Sequence, residues 1–314
     1  VDRGFLLRHT LWFQTKSIAM KIKKLSNQDQ EAVWQFLTKH VYSSMFLLSN
    51  IEKTGLKYTG ELYSGEYWGT FNASGELNGV LAQFWNGGLM TQASDLNALE
   101  ALTTHFCEVV NRPIAGMVGD SEQASFVLSK LGLPVSAFNT NRSEGLYQLA
   151  LEDLQLTEKA TSDQFTLIPT SEADASLLFD WLKAYELEAF GGEASDEHDK
   201  HITNRVTQMQ KSGNAWVLLD KEQPVALSGF NATLAEIVQV GPVWTPPEHR
   251  NNGFARAVVS LTLDLVKKQG VQKSVLFTDN PAAARAYEAI GFRQNGSFHL
   301  ALLKEPVELS SVSA

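Results

Sequence analysis

Residues 236–254, EIVQVGPVWTPPEHRNNGF, restrict the fold of this chain more than any other stretch. The β-branched run from Ile237 to Thr245 predicts a buried strand. Pro246 and Pro247 end it, because proline has no N–H to give to a sheet ladder. A polar loop, Glu248 to Asn252, leads to Gly253. After it the apolar positions Phe254, Ala255, Ala257, Val258, Val259, Leu261, Leu263, Leu265 and Val266 predict an amphipathic helix. A strand feeding a helix in this way aims the helix's unpaired first N–H groups, and the positive end of its dipole, into one turn. Such a turn is suited to an anion, phosphate above all, and a glycine there lets the anion approach the backbone.

A second unit follows. Ser274 to Thr278 predicts a short buried strand, and Asn280-Pro281 starts a helix with proline in its first turn, where its missing N–H costs least. That helix carries Ala283, Ala286, Tyr287 and Ile290 and stops at Gly291-Phe292. Asn280 and Tyr287 are about two helical turns apart and so share a face. Taken alone, they read equally as an asparagine cap and a half-buried tyrosine.

Together the two stretches resemble the GNAT acyltransferase superfamily. Arg250 to Ala255 fits the pyrophosphate-binding pattern Q/R-x-x-G-x-G/A, and NPAAARAYEAIGF is similar to the family's N-x-x-A-x-x-x-Y-x-x-x-G-F. The resemblance implies acetyl transfer from acetyl-CoA to a primary amine, by direct attack in a ternary complex. Val243, Trp244 and Thr245 would line the pantetheine arm on a strand that splays from its neighbour. Arg250, Asn251, Asn252, Gly253, Phe254 and Ala255 would hold the pyrophosphate. Arg256 either adds charge or is an exposed helix position. Asn280 and Ala283 would border the pantetheine end, and Tyr287 would protonate the departing thiolate. Where relatives often carry Arg-Gly-Arg-Gly, this chain has Arg250-Asn251-Asn252-Gly253. Asparagine tolerates left-handed backbone, so the loop can still form with one cation fewer.

Composition narrows the partners. The net charge of −9 argues against nucleic acid, whose phosphates require clustered Lys and Arg. A single cysteine, Cys107, allows no internal disulfide and no Cys-rich zinc site; no metal is expected. Cys107 lies in an apolar helical pattern and reads as a small core residue. No run of about 18 apolar residues predicts a membrane span, and a cytoplasmic protein is expected. Residues 1–19 precede the first methionine, and Arg8 and His9 interrupt their apolar run, which reads as an extraneous or disordered extension.

The rest of the chain alternates strands and helices, the α/β pattern. Strand, helix, Ile114–Val118 and SEQASFVLSKLGL parallel strand, helix, Val275–Thr278 and NPAAARAYEAIGF. Two tandem GNAT-like domains are therefore expected, each a mostly antiparallel, α+β mixed sheet flanked by helices. The first spans 20–151 and is degenerate: it offers Gly87 to Ser94 in place of Arg250 to Ala255, and Ser121 and Leu128 in place of Asn280 and Tyr287. A linker over 152–162, an active domain over 163–305 and a tail over 306–314 complete the division.

The general base is harder to place. In histone-acetylating relatives a glutamate lies where Gln239 stands here, and glutamine cannot take a proton. Glu236, three residues earlier, reaches the same face only through a β-bulge. Glu193, His198 and His201 read as solvated surface. The acceptor, small molecule or peptide, is left open. A monomer with intramolecular domain packing is expected. A non-catalytic acyl-CoA-binding protein and a transferase with another acyl donor are the alternatives.

Overall fold

The structure, a computed structural model, describes residues 20–191 and 193–309. The expected N-terminal extension, Gly192 and residues 310–314 lie outside them.

The first half runs β1 (Lys21–Lys24), α1 (Gln30–Thr38), α2 (Met45–Thr54), β2 (Gly65–Phe71), β3 (Leu77–Phe84), β4 (Gly88–Ala93), α3 (Leu96–Val109), β5 (Ile114–Asp120), α4 (Ser121–Leu131) and β6 (Phe138–Ala150). The second repeats that order: β7 (Phe165–Pro169), α5 (Ala175–Phe190), α6 (Asp196–Ser212), β8 (Ala215–Asp220), β9 (Gln223–Thr233), β10 (Ile237–Trp244), α7 (Phe254–Lys267), β11 (Lys273–Thr278), α8 (Pro281–Glu288) and β12 (Arg293–Val307). Short 3₁₀ turns fill part of the expected linker.

The two halves share one sheet of 12 strands, in the order β1-β2-β3-β4-β5-β12-β6-β11-β10-β9-β8-β7. Their last strands are exchanged. β12 pairs antiparallel with β5 of the first half, β6 pairs antiparallel with β11 of the second, and β6 and β12 lie side by side at the centre. The sheet is mostly antiparallel. The parallel pairs are β4–β5 and β10–β11, and each is short. β10 and β11 pair only from Ile237–Lys273 to Gln239–Val275, after which β10 stays with β9 through two register shifts and leaves its other edge open.

Helices cover both faces. α7 and α8 bury Phe254, Val258 and Tyr287, with Ile290 just past the end of α8, against Val238, Val240 and Tyr147 on one face. On the other, α5 and α6 bury Leu178, Leu182 and Ile202 against Val217, Leu227 and Trp244. The seam between the halves is itself core: Met45 of α2, Leu146 of β6, Ala232 of β9, Val275 of β11 and Phe298 of β12 form one buried cluster. Burial of this kind ties the halves together through the hydrophobic effect as well as through the ladder.

Three expectations require correction. Strand β6 was not predicted, because FNTNRSEG at 138–145 is polar and lacks apolar alternation. The last strand begins at Arg293 and runs to Val307, where it pairs with Ile114, so the expected tail starts later. Cys107 is exposed: α3 buries Ala98, Leu99, Leu102, Thr103 and Phe106, and position 107 falls one step beyond that stripe.

Candidate active site

Where β10 leaves β11, a cleft of about 500 Å³ opens between β10, the N-terminus of α7 and α8. Its wall begins on β10 with Val243 and Trp244 and continues through Thr245. It follows the loop through Arg250, Asn251 and Gly253, and then Phe254, Ala255 and Arg256 on the first turn of α7. Asn280, Ala283 and Tyr287 close the opposite side. Asn252 is not in this wall; its amide donates to the carbonyls of His249 and Arg250 and holds the loop shut from behind.

Backbone geometry explains the loop sequence. Asn251 sits at φ +64° and Gly253 at φ +77°, both left-handed, which asparagine tolerates and glycine favours. Gly253 is also the N-cap of α7 and brings no side chain to cap it. A Cβ there would lie 3.2 Å from the Arg256 guanidinium. The first turn of α7 thus presents its N–H groups and positive dipole end uncapped to the cleft.

The cleft is cationic within an acidic protein. His249, Arg250, Arg256 and Arg285 line it, and Glu188 is the one carboxylate among them. Arg250 is fixed on three sides. Its Nε donates to the Thr245 carbonyl at 3.1 Å, its terminal nitrogen to Glu188 at 2.8 Å, and its plane stacks 5.0 Å from the centre of Trp244. Arg285 was not singled out in the sequence, although it lies two residues from Tyr287 on the same helix. Trp244 Nε1 and Thr245 Oγ1 are buried beside the cleft with no partner among the described residues. Buried groups of this sort are costly unless something pairs with them. The open edge of β10, these two atoms and the uncapped helix together fit a long ligand with a polar arm and an anionic end.

Asn280 caps α8, its side-chain oxygen accepting from the N–H groups of Ala282 and Ala283 at 2.8 and 3.3 Å. Tyr287 is buried, 8% exposed. Burial, with Tyr185 nearby, pushes its phenol well above the ordinary tyrosine value, so the hydroxyl stays protonated and able to donate. It makes no hydrogen bond to any described residue, which leaves the proton free for a ligand.

Beyond the splay, α5 and α6 carry a second set of charges. Glu186, 9% exposed, takes an ion pair from Arg205 and contacts from His198 at 3.2 Å and His201 at 3.4 Å. His198 is thus half-buried and paired, unlike the solvated surface position its sequence suggested; His201 and Glu193 are exposed. Gln239 is buried and engaged, its amide donating to the Val240 carbonyl and its oxygen accepting from Asn231. Glu236 is exposed at the start of β10 and lies outside the cleft. The register shifts fall after Gln239, too late to turn Glu236 inward.

The first half builds the corresponding place differently. Its position in the sequence was misassigned, because Gly88 to Ala93 is itself strand β4, the counterpart of β10. The turn matching Thr245–Gly253 is Ser94-Asp95, and the Asp95 carboxylate caps α3 by accepting from Ala98 N–H. Asp120, not Ser121, caps α4, and the position matching Tyr287 is the buried Val127.

A strand that splays from its parallel neighbour beside an uncapped helix is the donor-side architecture of the N-acyltransferases. Residues 176–292 match the model of the acetyltransferase (GNAT) family. An acetyltransferase of Agrobacterium fabrum is 30% identical over 134 residues, 42% of this chain and 86% of that protein. Among solved structures, a GNAT-family acetyltransferase of Colwellia psychrerythraea has a TM-score of 0.50 at 16% identity, over 90% of this chain and 99% of that one. A Drosophila protein has a TM-score of 0.58 at 11% identity, over 90% and 98%. The chain belongs to the GNAT family and is an acyltransferase. Among the described residues no helix is long and apolar enough to cross a membrane.

Proposed function

We propose that this protein transfers the acetyl group of acetyl-CoA to a primary amine, in a ternary complex formed in the second half. The observation that carries the reading is the cleft, where an uncapped helix N-terminus and two buried unpartnered polar atoms lie on one side and a protonated tyrosine on the other. The N–H groups at the start of α7, with Arg250 and Arg256, would hold the pyrophosphate. The open edge of β10 at Val243 to Thr245 would pair with the amides of the pantetheine arm as an added strand pairs with a sheet. The amine attacks the thioester carbonyl carbon, the C–N bond forms, and the C–S bond breaks with its electron pair leaving on sulfur. The Tyr287 phenol then protonates the thiolate.

The cleft's cations favour an acyl-CoA, and the acceptor would be a primary amine on a small molecule or peptide. The first half, 20–151, and the second, from 163 to the end of β12, would act as one functional unit in a single chain through the sheet they share. The test is release of CoA thiol from acetyl-CoA in the presence of a panel of polyamines, amino acids, aminoglycosides and peptide N-termini. Amine-dependent thiol release supports the reading. Tight acetyl-CoA binding with no turnover on any amine points instead to an acyl-CoA-binding protein.

A further inference from the structure

The exchanged strand β6 carries a charged pair from the first half into the second half's site. Its pairing with β11 ends at Thr278–Gly145. One residue back is Glu144, beside the chain segment that leads to Asn280. Arg142, on the same face of β6, donates to Glu144 Oε1 from Nε at 3.0 Å and from a terminal nitrogen at 2.8 Å. The same guanidinium binds Asp279 at 3.0 Å and the carbonyl of Ala189, near the end of α5, at 3.0 Å. Both of its bonds to Glu144 go to Oε1, so Oε2 makes no hydrogen bond among the described residues.

Glu144 is close enough to Tyr185 of α5 to act on its phenol electrostatically, and Tyr185 in turn acts on Tyr287. Geometry places the Arg142–Glu144 pair at the border of the cleft: Asp279 directly precedes the cleft-lining Asn280, and Ala189 directly follows the cleft-lining Glu188. The groups around Glu144 are few. Arg142 lies on its own strand and Asp279 follows β11. Tyr185 faces it from α5, backed by Glu186 and by Arg205 of α6. β12 places Phe298 opposite, stacked on Phe277 at 3.8 Å, and Phe46 of α2, with Tyr42 just before that helix, joins the same apolar cluster. The side chain is 13% exposed. Burial, more than the opposing pull of Arg142, pushes its carboxyl above the usual range, the direction that makes a carboxylate a better base.

We infer that Glu144, supplied by the first half, is the general base of the acetyl transfer in the second. Resting on the proposed function above, it completes the proton balance. Glu144 Oε2 takes the proton released as the amine nitrogen bonds to the acetyl carbon, Tyr287 gives one to the departing sulfur, and exchange with solvent resets both. Arg142 is the positioning residue, holding Oε1 so that Oε2 stays free. The exchange is reciprocal in geometry alone: β12 brings His299 to the matching place opposite Gly119 of β5, where its Nε2 bonds Asn141. In that half the helix equivalent to α7 is α3, capped by the Asp95 carboxylate.

The experiment uses the full chain, acetyl-CoA and the amine giving the fastest thiol release in the panel, with calorimetric binding of acetyl-CoA measured separately. Glu144→Gln is expected to lower kcat about 100-fold or more while acetyl-CoA affinity stays within twofold. In the wild type kcat falls on the acid side through a carboxyl titrating above the usual carboxylate range. That limb is lost in Glu144→Gln, and shifted, with part of the rate kept, in Glu144→Asp. If Glu144→Gln does not fold, the limb in Glu144→Asp decides, because a shortened base shifts it and a structural carboxylate leaves it in place. Three outcomes overturn the inference: a kcat within threefold of wild type, an unchanged acid limb, or equal losses of kcat and acetyl-CoA affinity. A wild type that binds no acetyl-CoA overturns the proposed function first.

Discussion

Helices α3 and α7 occupy the same place in two copies of one βα unit, and they differ at their first residue. Asp95 caps α3 with its own carboxylate, accepting from Ala98 N–H at 2.9 Å, after a two-residue turn. Gly253 caps α7 with nothing, after the long loop from Thr245. A carboxylate already placed at a helix N-terminus occupies one of the orphan N–H groups and opposes the dipole's positive end. A phosphate arriving at α3 would meet like charge at the cap, whereas at α7 it would meet uncapped N–H groups and the side chains of Arg250 and Arg256. The fold is therefore permissive and the cap decides whether a half can hold an anion.

Breaking that difference has a ranked set of expected effects. The largest belongs to Gly253→Trp, which puts a side chain into a left-handed cap facing the Arg256 guanidinium at 3.2 Å. Acetyl-CoA affinity is expected to fall at least 100-fold, read by calorimetry, through strain of about 1–2 kcal/mol plus loss of the space itself. Tyr287→Phe comes next: kcat for thiol release falls roughly 10- to 100-fold with acetyl-CoA affinity within threefold, since the hydroxyl acts on the leaving sulfur. Parallel loss of both would assign Tyr287 to binding.

Arg250→Ala removes a cation held by Thr245, Glu188 and Trp244, and is expected to weaken acetyl-CoA binding about tenfold, the scale of one charge-assisted hydrogen bond of about 1.5 kcal/mol. The effect should shrink as salt rises. In the first half, Asp95→Ala should cost about 1 kcal/mol of stability in denaturant unfolding and leave acetyl-CoA affinity unchanged. A change in affinity there would mean that α3 also meets the donor.

The pH dependence has a definite sign. The folded phenol of Tyr287 titrates above its unfolded value, so the neutral form is favoured by the fold. Its contribution to stability is fully present below about pH 10, the unfolded value, and is lost as pH rises further towards the folded one. Thermal unfolding midpoints of Tyr287→Phe should therefore fall less than those of wild type between about pH 10 and pH 11. Thiol release should show no loss attributable to this phenol below about pH 10.

Much of the second half could be read from residues because its chemistry is local. The Pro246-Pro247 stop, Gly253 and the Asn280 cap each act within a few positions of one another, and such signals survive in a single sequence. What could not be read depends on pairing at long range. β6 lacks apolar alternation along Asn139 to Glu144, where its strand partner is β12 of the other half, and it gains β11 as a second partner only from Gly145 on. A search for a base along β10 therefore found Gln239, whose amide is engaged, and Glu236, which stays outside the cleft, while Glu144 lay in a segment with no strand signal. Gly291 shows the same limit. Its place in the G-F pair was legible, but a Cβ there would lie 2.8 Å from the Asp153 carbonyl, a contact with the connection between halves that no local pattern records.

Calorimetric titration of acetyl-CoA into the wild type, Gly253→Trp and Asp95→Ala tests the difference between the halves most directly. The account predicts one acetyl-CoA per chain in the wild type and in Asp95→Ala, and none in Gly253→Trp. Two molecules per chain, or binding retained in Gly253→Trp and lost in Asp95→Ala, would contradict it.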